Sequence, residues 1–282
     1  MSDNVQQVWV LGGGGVTGIA WETGVLAGLA DEGVTLPADA TLLGTSAGST
    51  VAAQAGSGVP IGELFERQAA GVPYEISKGL GASALLRYLG AYLFTRSPEA
   101  AGRRLGRMAL RAEVGPAAER RAVIEQRLPR HEWSDADVRI VTVDALTGEA
   151  RIVTRADGLE LVDVVAASCA IPLVWPPVSL DGRPYIDGGM RSSLNLDLAP
   201  GTGPVVALSP SAASLSRWGR IDAQLSRLAP GRAVEIVSMS DEAKAAQGRN
   251  SLDKSVVPAV AAAGREQGRR EAARIRAALA QA

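Results

Sequence analysis

L-G-G-G-G-V-T-G, Leu11 to Gly18, follows the apolar run Val8 to Leu11 and leads into a helix-like segment from Ile19 to Ala30, closed by Asp31-Glu32-Gly33. A short buried strand, a glycine turn and a weakly charged helix are then repeated: Thr41-Leu42-Leu43, G-T-S-A-G-S from Gly44 to Ser49, and small residues through Ala55. This alternation predicts a three-layer α/β fold, with a mostly parallel sheet and helices on both faces. The glycine loop has two readings. Gly13 to Gly18 spells G-x-G-x-x-G, the turn that cradles a dinucleotide pyrophosphate, and it is equally a row of bare N–H groups for an oxyanion. A dinucleotide site wants an acidic residue about 20 positions beyond the glycines, at the end of the second strand. Asp39 lies near that distance but precedes the strand, which ends in Gly44-Thr45-Ser46. The oxyanion reading is therefore preferred.

Outward from these two units, residues 60 to 130 are helical in pattern and β-poor. Strand signals return at Val138 to Val143 and Ala150 to Thr154. Val178 to Ile186 predicts a hairpin with Asp181-Gly182 at its tip. Val205 to Leu208 and Ala233 to Val237 alternate with helical stretches, and Val257 to Ala280 reads as one long helix. The expected organisation is a single α/β domain over 1–282, with a helical insert or cap at about 60–130.

A formal net charge of -1 and a pI near 6.0 give no bulk attraction to nucleic acid. Cys169 is the only cysteine, so there is no internal disulfide. The N-terminal residues lack a basic n-region, and no apolar run reaches the roughly 18 residues of a membrane span. A cytoplasmic chain is expected.

Gly44-Thr45-Ser46-Ala47-Gly48 is G-x-S-x-G between a strand and a helix, the setting of a nucleophile elbow. Small residues two before and two after the serine let the turn close and expose its Oγ, and the N–H of Ala47 can donate to an oxyanion. A serine needs a base. His131, the sole histidine, lies in the polar stretch L-P-R-H-E-W-S-D and reads as a solvated loop residue. The base must then be a carboxylate or a lysine, and the carboxylate to watch is Asp187 in Y-I-D-G-G-M, at the exit of a hairpin strand and followed by two glycines that give the backbone unusual freedom and leave it uncrowded; a plain Asp-Gly turn is the alternative. A free aspartate, with a pKa near 3.9, is a weak base, so burial must raise its proton affinity. Asp144 and Asp181 fit turns, and Cys169 in V-V-A-A-S-C-A-I-P reads as a buried small hydrophobe.

The ordered set G-G-G-G-V-T-G (12–18), G-T-S-A-G (44–48), A-A-S-C-A-I-P-L-V-W-P-P-V (166–178) and D-G-G-M-R-S-S-L-N (187–195) resembles the patatin-like phospholipases over roughly residues 8 to 200. The resemblance implies a Ser-Asp dyad, with Ser46 as nucleophile and Asp187 as base, and it maps the oxyanion loop to Gly13, Gly14 and Gly15. Family members usually carry Arg or Lys just before the last glycine of the loop, where this chain has Thr17. Five residues rather than the usual four separate Gly18 from Gly24.

The function implied is hydrolysis of carboxylic esters in phospholipids, lysophospholipids or acylglycerols through an acyl-enzyme, with no metal or organic cofactor and a lipid or acyl ester as partner. Acyl transfer by the same dyad, and a non-catalytic lipid- or dinucleotide-binding module, are the alternatives. Leu80 to Phe94 carries one charge, Arg87, and its leucines 85, 86, 89 and 93 share a helical face. That face predicts either a core or cap helix packed on the sheet or an interfacial helix in peripheral contact with a membrane, beside the nine arginines of residues 96–130. Oligomeric state is not legible in the sequence.

Overall fold

A computed structural model describes residues 6–76, 82–211, 214 and 216–280, without the side chains of residues 82, 83 and 85. Leu80 and the Leu85 side chain, named above, lie outside the described residues, as do the first five residues. The predicted strand–turn–helix pair is present twice, as β1 (Val8–Leu11) with α1 (Gly15–Asp31), and β2 (Thr41–Thr45) with α2 (Ala47–Ala55). Four helices follow: α3 (Ile61–Ala69), α4 (Ala82–Leu93), α5 (Pro98–Leu110) and α6 (Ala117–Arg127). Then come β3 (Asp137–Asp144), β4 (Ala150–Val153), α7 (Leu161–Ser168), and the hairpin β5 (Val178–Leu180) and β6 (Arg183–Asp187). The remainder is β7 (Val205–Ser209), α8 (Ile221–Leu225), β8 (Val234–Ser238), α9 (Asp241–Gln247) and α10 (Val257–Ala280). The hairpin turns at Asp181 and Gly182, both with positive φ, 50° and 73°.

The strands form one sheet in the order β5-β6-β3-β2-β1-β7-β8, with β4 pairing β3. Strands β8, β7, β1, β2 and β3 are parallel neighbours, while β4, β5 and β6 are antiparallel to theirs. Period-2 alternation divides the core. Trp9, Leu11, Val206 and Leu208 face the main cluster built with α1, α2, α7 and α10, and Val8, Val10, Val205 and Ala207 face a smaller one closed by Leu194 and Leu196. Among the described residues no helix is long and apolar enough to cross a membrane.

One detail of pairing positions the site. On β3, Val141 pairs with Ile152 of β4 and Thr45 of β2, and the next residue, Thr142, pairs with Arg151 of β4 and Asp187 of β6. Each strand has two edges and β4 occupies one of them. Strands β2 and β6 therefore share the other, and meet end to end between positions 141 and 142.

Helices α1 and α10 pack through a reciprocal glycine seam. A Cβ at Gly24 or Gly28 would overlap the carbonyl oxygens of Ala261 or Arg265, and one at Gly264 or Gly268 would overlap those of Trp21 or Val25. All four glycines lie in helices, so close approach alone requires them. The indole of Trp21 crosses the seam, donating to Gln267 Oε1 at 2.9 Å.

The 60–130 segment divides by contact. Helix α3 joins the α1 and α10 layer and α6 packs on α7, whereas α4 and α5 pack together beside β3 and β6. Of the leucine face of α4, the described side chains do not pack on the sheet. Tyr88 and Ala91 are its buried positions, and Leu86, Leu89 and Leu93 are exposed. The inner face that a core or cap helix turns to the sheet is held by Tyr88 and Ala91, beside Val143 and Ile186, rather than by the described leucines, because a tyrosine can bury its ring while hydrogen-bonding through its hydroxyl.

The seam makes a direct prediction. Gly28→Ala should destabilise the fold by about 1–3 kcal/mol or more by prising α1 from α10. Gly62→Ala on α3, where nothing lies within 4 Å of the added Cβ, should stabilise it by about 0.5–1 kcal/mol. Urea unfolding of the two variants measures the contrast.

Candidate active site

Ser46 joins β2 to α2 with φ 53° and ψ -114°. Holding a side-chain-bearing residue in so sparsely populated a region costs about 1–3 kcal/mol. The turn closes because its flanks lack side chains. A Cβ on Gly44 would lie 2.6 Å from Ser49 Cα, and one on Gly48 would overlap the Leu11 carbonyl. The N–H of Gly48 donates to Gly12 O at 2.9 Å, tying the elbow to the glycine loop.

Because β2 and β6 meet along β3, Ser46 and Asp187 converge across 141 positions of sequence. Ser46 Oγ donates to Asp187 Oδ2 at 2.7 Å. Both residues are buried, 7% and 2% exposed, so little water competes for either group. The other carboxylate oxygen, Oδ1, accepts from Gly189 N–H at 2.7 Å. Burial pushes the Asp187 pKa up to about 7, against the hydrogen bonds from Ser46 and Gly189 and the charge of Arg120, which lower it. A carboxylate that titrates near neutrality accepts a proton far more readily than one near 3.9. The glycine after Asp187 answers a steric need, since a Cβ on Gly188 would overlap Val141 O and lie 3.3 Å from Thr45 Cγ2. Neither Gly188 nor Gly189 has positive φ, so the freedom expected of this pair is not used.

The glycine loop begins the first turn of α1, where backbone N–H groups lack intrahelical partners. Gly13 N–H is committed, donating to Ser193 O at 2.7 Å. The N–H groups of Gly14, Gly15 and Ala47 find no acceptor among the described residues. Gly14, Gly15, Ser46 and Asp187 line one cleft of ≈ 280 Å³ together with Tyr88, Ile171, Met190 and Pro210. Thr17, in the position where a cation was expected, is fully buried, and its hydroxyl donates to Ser251 O at 3.2 Å. It anchors the loop from behind and does not face the cleft.

Several supporting residues were given no place at the site from sequence. Ser168 Oγ accepts from Ser46 N–H at 2.9 Å and donates to Val141 O at 2.7 Å. Cys169 Sγ contacts Ser46 O at 3.3 Å, and Ala170 O accepts from Asp187 N–H at 3.0 Å. Three consecutive residues of A-A-S-C-A thus hold both Ser46 and Asp187. Asn195, at φ 51°, donates through Nδ2 to Thr45 Oγ1, Gly188 O and Ser192 O, at 3.1, 3.2 and 2.7 Å, bridging the ends of β2 and β6. Glu22 is fully buried under the loop and accepts from Gly12 N–H at 2.7 Å. Burial holds its carboxyl well above the usual range, favouring the neutral acid. The signal for Ser168 lay in its motif, as a polar residue inside an apolar run, and that for Asn195 in its place between two leucines at the end of the Asp187 motif. For Glu22 it was the one charge in the run from Ile19 to Ala30.

His131 is exposed and lies on Glu125 O at 3.1 Å, outside the cleft lining, in keeping with a loop role. Asp144 accepts from the N–H groups of Leu146 and Thr147, a turn as expected. Cys169 is buried.

The fold resembles VipD from Legionella pneumophila at 13% identity and a TM-score of 0.39, over 74% of this chain and 51% of that one. This chain therefore spans about half the length of that protein. No curated protein sequence matches it. The sequence profile of the patatin-like phospholipases does match, over residues 9–200, which takes in the glycine loop, the elbow and the Asp187 hairpin. With more than half its length matched, the chain belongs to the patatin-like phospholipase family.

Proposed function

We propose that this chain is a serine acyl hydrolase cleaving carboxylic esters of phospholipids, lysophospholipids or acylglycerols through a Ser46–Asp187 dyad. The observation that carries this reading is the buried 2.7 Å hydrogen bond from Ser46 Oγ to Asp187 Oδ2. In the first half-reaction Ser46 Oγ attacks the ester carbonyl carbon and its proton passes to Asp187. The carbonyl oxygen becomes an oxyanion beside the N–H groups of Gly14, Gly15 and Ala47, each worth about 3 kcal/mol to the transition state. Collapse breaks the ester C–O bond, and the leaving alkoxide takes the proton from Asp187. In the second half-reaction water attacks the acyl-Ser46 carbonyl, gives its proton to Asp187, and releases the free acid as Ser46 recovers its hydrogen.

A two-residue site places a demand that a histidine would otherwise meet. The base must be ionised to accept the serine proton, yet basic enough to hold it, and a buried aspartate with a pKa near 7 satisfies both at neutral pH. The strained elbow adds a second element, because Ser46 stands at the N-terminus of α2 without capping it and its Oγ goes to Asp187 instead.

Ser46→Ala should lower hydrolysis of a p-nitrophenyl ester by about 10⁴-fold or more, and Asp187→Asn by about 10²- to 10⁴-fold, both with the fold intact by circular dichroism. Hydrolysis undiminished by either change would remove that residue from the mechanism. His131→Ala should leave the rate unaltered. In the unmodified chain the rate should rise with pH through about 7, as Asp187 loses its proton and becomes able to act as base.

The same burial has a sign on stability. The folded state holds the Asp187 proton more tightly than the unfolded chain, so stability present below about pH 4 is lost as pH rises toward 7. A neutral isostere escapes that loss, which is of the order of 4 kcal/mol at most. Asp187→Asn should therefore raise Tm at about pH 8, and the gain should shrink as pH is lowered toward 4. Thermal unfolding across that range measures it.

A further inference from the structure

Helix α4 has two faces with different surroundings. On the inner face the Tyr88 hydroxyl donates to Pro172 O and the Tyr92 hydroxyl donates to Met190 O at 2.9 Å, while Tyr88 also lines the cleft beside Ser46 and Asp187. On the outer face Leu86 and Leu93 are 69% and 65% exposed, Leu89 is 39% exposed, and Phe94, just past the helix end, is 78% exposed. At about 100° per residue, positions 86, 89 and 93 fall within about 60° of one another. Leu110, the last residue of the neighbouring helix α5, is also exposed. Of the seven large hydrophobic side chains exposed among the described residues, five lie between 86 and 110. A concentration of this kind, rather than scattered single residues, marks a contact surface.

The charge around the patch selects its partner. Residues 82–111 hold six arginines and one glutamate in a chain whose net charge is -1. Arg87, Arg96, Arg103, Arg104, Arg107 and Arg111 are all exposed, and the Arg104 guanidinium sits 6.0 Å from the Phe94 ring. Arg103 is turned to the β3–β4 turn, donating to Thr147 O at 3.0 Å, but leucines that would enter an apolar phase, on helices that, with their flanking residues, carry the other exposed guanidinium groups, complement a bilayer bearing anionic headgroups. We propose that the outer face of α4, with the adjoining face of α5, seats this chain on an anionic lipid surface, bringing bilayer lipid to the cleft walled by the inner face of the same helix. The link to lipid entry rests on the reading of Ser46 as nucleophile; the docking itself does not.

The test uses the full chain carrying Ser46→Ala, which leaves vesicles undegraded, sedimented with vesicles of phosphatidylcholine alone or mixed with phosphatidylglycerol. Sedimentation is expected with the mixed vesicles only, and should weaken between about 0.1 and 1 M salt as screening shortens. Adding Leu86→Ser and Leu93→Ser should lower partitioning about tenfold or more without lowering Tm, because both side chains are already in solvent in the free protein. On a background with Ser46 intact, the same two changes should spare hydrolysis of a water-soluble short-chain ester and reduce hydrolysis of vesicle lipid. Because binding is read on an inactive chain, loss of hydrolysis speaks to Ser46 and loss of sedimentation to this surface. Equal sedimentation with neutral vesicles, none with anionic ones, or unchanged partitioning of the double variant would overturn the proposal. So would a dimer in sedimentation velocity that the double variant abolishes, which would assign the face to a second copy of the chain.

Discussion

The site depends on how two strands share one edge of β3. Thr45 pairs with Val141 and Asp187 with Thr142, while β4 fills the opposite edge at both positions. A parallel strand and an antiparallel one are thereby aimed at each other, and the residues at their meeting ends are Ser46 and Asp187. A one-residue slip of either strand would turn its terminal side chain to the opposite face of the sheet. The 2.7 Å hydrogen bond between them is thus a consequence of register before it is a feature of chemistry.

Register alone leaves several polar groups buried, and the structure satisfies them with a small set of side chains. Ser168 takes the Ser46 N–H and returns its own hydrogen to Val141 O, the β3 position paired with Thr45. Asn195 spans the junction from the other side, with its amide reaching Thr45 and Gly188. These contacts supply what a nucleophile elbow and a buried carboxylate need, which is a fixed geometry with few unmatched donors. The remaining cost is the desolvation that raises Asp187, and in the proposed mechanism the same desolvation supplies the proton affinity a base needs. Stability and chemistry pull in opposite directions at this one carboxylate.

The alternation of Val8–Leu11, glycine turn, helix, Thr41–Leu43 and glycine turn was enough to read a parallel α/β sheet, because strand and helix periods differ and glycine marks the junctions. The hairpin was legible in Asp181-Gly182, where positive φ is demanded. Gly44 and Gly48 were legible as close-packing residues around Ser46. What could not be read was anything dependent on long-range pairing. Nothing local tells that Thr45 and Asp187 occupy adjacent rungs of β3, that Gly13 N–H is taken by Ser193, or that Glu22 lies beneath Gly12. The pattern of α4 showed an apolar stripe and left open whether that stripe met the sheet or a membrane. Periodicity identifies a stripe but not its partner, and here Tyr88 and Tyr92, with hydroxyls bonded to Pro172 and Met190, hold the inner position.

The central claim, that Ser46 is a nucleophile activated by Asp187, is tested most directly by labelling the intact chain with a fluorophosphonate and locating the adduct by mass spectrometry. The account predicts one modified residue, Ser46, with a labelling rate that rises through about pH 7 and falls sharply in Asp187→Asn. An adduct on another serine, or labelling of Ser46 at the same rate with Asp187 replaced by Asn, would contradict it.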